Sequence, residues 1–384
     1  MFFLKLVFLN AFRARLRAAL TVLGLVIAVV AFGVLQTVVG AWYAGVEAAS
    51  ANRLVTRNAI SLVFPLPAYY RERIRSVPGV SGVTISNWFG GIWRDERSFF
   101  AQFAIDAPTY FPMYPEFVFD PQEFQDFLRD RSGAAIGRKL ADEYGFKVGD
   151  RIPIRGTIYP GTWEFTVRAI FDGRDDTTVT RQMYFHWDMV TERLKARFPR
   201  LAERIGVYVI AVDDASRTAE IAQVIDREFA NSLAETLTET EQAFQLSFIA
   251  MLEQILLIIR GVSYVVIVII LAVAANTMAM TARERLPEYA TLKALGFGPA
   301  FVARLILAES LVIAVFGGAL GMLFTAPAAA GVHALLTQFS RFEVDGSTYL
   351  QQAAAALLVG VLAALVPMLR SANVKIVDGL RHVG

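Results

Sequence analysis

Apolar positions along this chain follow two patterns: long unbroken runs near both ends, and a central stretch where apolar and polar residues alternate over short distances. A helix needs about 20 mostly apolar residues to cross about 30 Å of hydrocarbon. Four runs reach that length: residues 18–46, 261–282, 299–330 and 350–369. The second is entered through residues 252–259 with Arg260 between, and the third is interrupted by Arg304 and Glu309. Lys5, Arg13, Arg15 and Arg17 precede the first run. A basic flank before an apolar run also describes a secretory signal, but signal cores span only about 7 to 15 residues, so an uncleaved span is expected. Within residues 1–16, Phe2, Phe3, Leu6, Val7 and Phe12 mingle with the basic residues, a pattern that predicts an interfacial amphipathic helix leading into span one.

The central stretch reads as a folded domain. A helix over 68–76, the turn Pro78-Gly79 and an alternating strand over 80–86 form one unit. A strand over 208–212 and a helix over 216–229 form a second. The two are expected to combine into one split α+β sheet. Between them an all-β insert is predicted at about residues 120–190, with strands at 134–136, 152–154, 163–170 and 183–185. Residues 235–241 read as a polar helical stretch running on into span two. The aromatic-rich segment 88–119 reads as core packing in preference to a ligand surface.

Lysine and arginine in the short connections set the orientation. The amino-terminal segment is basic, Arg283, Arg285 and Lys293 lie between spans two and three, and Arg370, Lys375 and Arg381 follow span four. The turn between spans three and four carries Arg341, Glu343 and Asp345, which is no such signature. Both termini are therefore expected in the cytoplasm and the large domain outside. The expected fold is an α-helical membrane protein with four transmembrane helices plus an extracytoplasmic α+β domain carrying a β-rich insert. Its segments are the interfacial helix (1–16), span one (17–46), the outer domain (47–250), span two (251–282), a cytoplasmic helix (283–298), span three (299–330), a short outer turn (331–348), span four (349–370) and a cytoplasmic tail (371–384).

Composition agrees, with 55% hydrophobic and 19% charged residues and a mean hydropathy of +0.46. A formal charge of +2 with scattered basic residues argues against a nucleic-acid partner. The absence of cysteine excludes disulfides, thiolate metal sites and cysteine nucleophiles. Nothing matches G-x-x-x-x-G-K-[ST], so no phosphate cradle for ATP is present. His186, His333 and His382 are too far apart in the sequence for a local metal triad or nucleophile–base pair. Asp172, Asp175 and Asp176 read as a polar turn balanced by Arg174, without EF-hand spacing. No catalytic, cofactor or metal residue is therefore assigned, and the chain is not expected to be an enzyme by itself.

Three features remain. Residues 283–296 hold a proline suited to a first helical turn and a closing glycine, which predicts a short helix with Leu292 and Leu295 as apolar anchors beside charges. Such a helix suits a groove on a partner protein, or a bed of lipid headgroups for Arg283 and Arg285. Glu309 sits in an apolar run, where a carboxylate marks pairing or function. Structural pairing or water access is expected over proton relay; Arg304 lies about one turn away and Arg260 near the opposite end of span two, and neither is fixed as the partner. Gly317, Gly318 and Gly321 permit close helix contact, between subunits or within one.

Arg285, Glu288, Lys293, Ala294, Leu295 and Gly296 resemble the R-x-x-E-I-G-x-L-R-A-L-G stretch of the FtsX/MacB-like ABC transporter permeases, with Tyr289 and Ala290 in place of Ile-Gly. Ala308-Glu309-Ser310 and residues 317–321 are similar to that family's E-[SA] and G-G-x-x-G. Pro367, Arg370, Ala372, Val377, Leu380 and Arg381 are similar to its tail, and residues 10–24 to its opening motif. In the outer domain, residues 135–150 and 166–170 are similar to the β insert of MacB-like periplasmic domains.

The resemblance implies a permease subunit that couples ATP hydrolysis by a separate ATPase to movement of its outer domain, called mechanotransmission. That movement would serve export or extraction of a lipid-linked molecule, peptide or drug. The alternative is a signalling subunit that activates an extracytoplasmic cell-wall hydrolase without transport. By the same resemblance, Arg285, Glu288, Tyr289, Leu292, Lys293, Leu295 and Gly296 form the coupling helix that meets the ATPase. The implied partners are an ABC ATPase dimer, holding the ATP and magnesium, a second permease copy or paralogue, a periplasmic adaptor and the lipid bilayer. The implied location is the bacterial inner membrane.

Overall fold

The computed structural model describes residues 2–47, 50–96, 98–175, 177–334 and 342–372. It forms two compact units, Met1–Trp42 with Leu252–Gly384, and Tyr43–Met251.

In the first unit, four helices among the described residues are long and apolar enough to cross a membrane: Arg15–Tyr43, Glu253–Glu284, Pro299–His333 and Gly346–Ser371. They bury Val29, Phe32, Ile270, Leu305, Ala356 and Ala364 among themselves. Leu257, Val268, Ile269 and Leu323 face outward. Apolar residues on both the inside and the outside are what a bundle solvated by lipid requires. A short helix, Phe2–Ala11, precedes span one and buries Val7 against the bundle, and just beyond it the Phe12 ring meets Phe316 edge-on at 5.7 Å. A second short helix, Leu286–Ala294, joins spans two and three. Of the tail motif, Val377, Leu380 and Arg381 lie outside the described residues, as do His382 and much of the turn after span three.

The second unit is built on one ten-stranded sheet. Its path runs Thr236–Thr240, Arg53–Asn58, Val207–Val212, Val80–Trp88, Ala101–Ile105, Gln182–His186, Gly133–Gly137, Gly161–Gly173 and Phe117–Val118, with Arg151–Gly156 pairing Gly161–Gly173 off that path. The two helix-and-strand units and the insert thus share a single sheet, joined where Ala101–Ile105 runs parallel to Gln182–His186. Alternation places Met183 and Phe185 in one core and Tyr184 in the other, and separates Ala134 and Ile136 from Ala135 in the same way. Helices Tyr70–Arg75, Arg138–Tyr144, Trp187–Arg197 and Thr218–Glu228 contribute Ile74, Leu140, Val190 and Ile225 to the first core. The segment from Ala107 to Tyr114 and helix Pro121–Arg129 cover the second core with Phe111 and Phe127. Most of the aromatic-rich segment is packing, since Phe89, Trp93, Phe100, Tyr110 and Phe111 are buried, while Trp88 and Phe99 stay exposed.

Two expectations are corrected. The insert is not all-β, because Pro121–Arg129, Arg138–Tyr144 and Trp187–Arg197 are helices within or bordering it. Asp120 caps the first, accepting from the Gln122 and Glu123 amides with proline at the first turn, and Gly145, at φ 70°, ends the second. These helices are short, and their apolar periodicity is masked by the strands on either side. Residues 236–240 form a strand, not the start of a helix into span two. Their alternating threonines favour extended backbone. Thr238 Oγ1 lies 2.8 Å from Thr56 Oγ1 across the ladder, and Asp226 accepts from the hydroxyls of Thr236 and Thr238. Helix Glu241–Met251 follows, and the next begins at Glu253, so no unbroken helix links the domain to span two.

Candidate functional site

The site centres on Arg285, between the end of span two and the short helix Leu286–Ala294. Its backbone, at φ −100° and ψ 11°, leaves helical geometry and turns the chain. Pro287 suits the first turn of the new helix, where a missing N–H costs nothing. Gly296, at φ 94°, closes the far end: its amide donates to Lys293 O at 3.0 Å and that of Phe297 to Leu292 O at 3.1 Å. A side chain at position 296 would be strained, which explains glycine there.

Arg285 Nη1 donates to both carboxylate oxygens of Glu309, at 2.8 and 2.7 Å, and its Nε donates to Glu288 Oε2 at 2.9 Å. The side chains of Arg285 and Glu309 are 11% and 3% exposed, so this ion pair is buried. Glu288 accepts a further bond from Arg13 Nη1 at 2.6 Å, and Arg17 forks onto Glu284 at 2.8 Å through each terminal nitrogen. Lys293 Nζ donates to Ser371 O at 3.2 Å, at the end of span four. The short helix is thereby tied to the segment before span one and to spans three and four. A cleft of about 290 Å³ opens beside it, lined by Asn10, Thr281, Arg285, Glu288, Glu309 and Ile313.

Burial works most strongly against the charged guanidinium of Arg285, but the Glu309 charge, the Tyr289 ring and the hydrogen bonds to Glu309 and Glu288 together hold the pKa above the ordinary arginine value. Burial pushes the Glu288 carboxyl up, yet its bonds from Arg285 and Arg13 leave it below its usual range. Both shifts favour the charged forms of Arg285 and Glu288. A paired and hydrogen-bonded charge in an apolar setting is stable only while both partners remain, since losing one strands the other.

The residues of the expected coupling helix differ in exposure. Tyr289 and Ala290 are buried, and Leu292 packs into the bundle core, so neither Tyr289 nor Leu292 is presented outward. The exposed apolar groups are Leu295 and, missed by the sequence reading, Phe297. Its signal was an aromatic between Gly296 and Gly298, beyond the helix-ending glycine. Glu309 pairs with Arg285, while Arg304 donates to its own helix at Ala300 O. Gly317 and Gly321 face span one: a methyl on them would lie 2.9 Å from Leu25 Cδ2 and 2.7 Å from Val29 Cβ. One on Gly318 would lie 2.6 Å from Ala356 Cβ of span four. These glycines pack helices within one chain, which leaves them covered and unavailable to a second copy.

Two further polar anchors escaped the sequence reading. Gln352, fully buried in span four, donates to Val29 O at 2.8 Å and Thr325 Oγ1 at 2.7 Å. In the outer unit, Arg53 is buried between Glu241 (2.7 Å) and Glu116 (2.6 Å), also donates to Met113 O, and lies over the Tyr114 ring. Among the described residues, no group of three or more His, Asp or Glu side chains converges as metal ligands would.

Residues 18–228 match the model of the MacB-like periplasmic core domain, and residues 260–376 match that of the FtsX-like permease C-terminal region. The chain belongs to the family of ABC transporter permeases that carry this pair of regions: it is a multi-pass membrane protein whose family implies an ABC ATPase partner. It is 22% identical to an uncharacterized ABC transporter permease of Methanocaldococcus jannaschii, over 97% of this chain and 96% of that one. It is 23% identical to an uncharacterized ABC transporter permease protein of Mycobacterium tuberculosis over 56% of this chain, but spans only 24% of that larger protein. Among solved structures, the extracellular domain of the ABC-type transporter YknZ from Gram-positive bacteria aligns with 49% of this chain and all of its own, at 14% identity and a TM-score of 0.36.

Proposed function

We propose that this permease is the transmission subunit of an exporter, carrying the stroke of a separate, dimeric ATPase to its extracytoplasmic domain. ATP and magnesium would be held by that ATPase, and this chain would contribute no catalytic group. The observation that supports the reading is the tethering of helix Leu286–Ala294 by Arg13, Glu309 and Ser371 while Leu295 and Phe297 remain exposed at its end. An exposed apolar pair beside a helix end is a fitting anchor for a groove, and rigid tethers to three spans would spread a push on it through the bundle. In this reading the short helix and both termini face the cytoplasm of a bacterial inner membrane, and two permease copies meet one ATPase dimer. The stroke would serve extraction or export of a lipid-linked molecule, peptide or drug, with a periplasmic adaptor as a further partner.

The test is co-purification with the candidate ATPase and measurement of its stimulation. Leu295→Glu with Phe297→Glu should abolish complex formation, whereas Glu309→Gln should leave the complex intact and weaken stimulation. Full complex formation by the Leu295 and Phe297 variant would sink the coupling role.

A further inference from the structure

Beside the charged cleft lies a second, more open groove of about 540 Å³, between the start of span one and the last third of span two. Its walls are Leu16, Leu20 and Thr21 on one side and Val273 and Thr277 on the other, with Arg15 and Arg17 at its rim. Leu16, Leu20 and Val273 are all largely exposed. The apolar strip continues along the same face of span one through Leu23 and Ile27, both exposed and spaced three and four residues on. The groove therefore runs from a cationic mouth at the helix ends into the apolar length of the bundle.

The two arginines differ. Arg17 is engaged, bridging the helices through Glu284 and Thr281. Glu288 and Glu309 are likewise taken by Arg13 and Arg285. Arg15 is exposed and has no carboxylate within ion-pair reach among the described residues. A cation left over at the mouth of an apolar groove, at the level where a span meets the membrane interface, complements one kind of molecule: an anion with a long apolar tail.

We infer that this groove binds an anionic phospholipid, its phosphate at Arg15 and an acyl chain along Leu20 and Val273. The volume is within the range of small-molecule sites, and basic pockets between membrane helices hold acidic headgroups by the same chemistry. Arg17, at the rim, is held by its bridge to Glu284 and leaves the free charge to Arg15. The site requires only that spans one and two cross a membrane, and does not depend on coupling to an ATPase.

The probes are phosphatidylglycerol and phosphatidylcholine with matched chains, added to the detergent-purified full chain, with retained lipid counted by native mass spectrometry. Phosphatidylglycerol should be retained in preference, and Arg15→Gln should cut that preference about fivefold, the worth of one interfacial cation. Arg15→Lys should restore most of it. Arg283→Gln removes an exposed cation that does not line the groove, and should change the preference little. Val273→Trp, which fills the groove without altering charge, should lower retention of both lipids. Equal retention of the two lipids by the unaltered chain would overturn the site. So would equal losses in the Arg15 and Arg283 variants, which would indicate a diffuse basic surface. Retention unaffected by Val273→Trp would place the lipid elsewhere, and a dimer that forms only when lipid is stripped would assign the groove to a second copy.

Discussion

Arg285 and Glu309 face one another across the boundary between the short helix Leu286–Ala294 and a membrane span, with one guanidinium nitrogen 2.8 and 2.7 Å from the two carboxylate oxygens. The pair joins an element that could meet a partner to one that crosses the bilayer. Its burial makes the junction stiff, because neither charge can be left alone in that environment.

Removing one partner should therefore cost far more than removing both. Glu309→Ala is expected to destabilise the detergent-solubilised chain by about 3–5 kcal/mol, while Arg285→Met with Glu309→Met should lie near the unaltered protein. Thermal unfolding of Arg285→Met, Glu309→Met and the double variant measures the coupling, and additive losses would contradict the pair.

The glycines of span three make a steric prediction. Gly321→Ala places a methyl 2.7 Å from Val29 Cβ, and should cost about 1–3 kcal/mol by overpacking. Val29→Ala removes the equally close Cγ1 but keeps the Cβ, so in the same chain it should recover only part of that loss. Gly331→Ala, at a position with nothing within 4 Å, should be neutral or slightly stabilising.

Arg53 holds together the strand that opens the outer domain, the helix that closes it and the segment around Glu116. Arg53→Met would leave the buried Glu241 carboxylate without its cation, at an expected cost of about 3–5 kcal/mol. Arg53→Lys should recover little, because a single ammonium cannot reach both carboxylates and Met113 O at once. Limited proteolysis of the outer domain would register the loosening as earlier cleavage.

His186 confers a pH dependence. Burial depresses its pKa below the ordinary value of about 6.5, and the bond to Phe127 O together with nearby aspartates offsets this only in part. As pH falls through the unfolded value the unfolded chain takes up the proton first, so the stabilisation present above about pH 6.5 is lost on acidification. His186→Gln can still donate to that carbonyl and does not titrate. It should show a smaller drop in unfolding temperature between about pH 7.5 and about pH 5.5, and equal drops would contradict the assignment.

Long uniform signals are legible in the sequence, as are strands with clean alternation such as Val207–Val212. The errors fell where a segment is short or its partner distant. Residues 236–240 carry a polar composition compatible with a helix, whereas their strand comes from threonines that pair with Arg53–Asn58, far away in sequence. The three helices in and around the insert gave too few turns for a period to stand out.

At the candidate site, the sequence located the short helix, its proline and glycine boundaries and the unusual Glu309, because each is a local departure from a local pattern. It offered Arg260 and Arg304 beside Glu309 and not Arg285, the actual partner, since ion pairing depends on where helix ends meet in space. The Arg13–Glu288 contact joins residues 275 apart.

The sequence by itself determined four spans, a folded domain between the first two and a chain with no phosphate cradle, since length, hydropathy and residue type are carried position by position. Only the tertiary structure decided which charges neutralise one another, which glycines touch which helices, and that Leu295 and Phe297 stay exposed while Tyr289 and Leu292 turn inward. Those are properties of distances between segments, and distances exist only once the helices have packed.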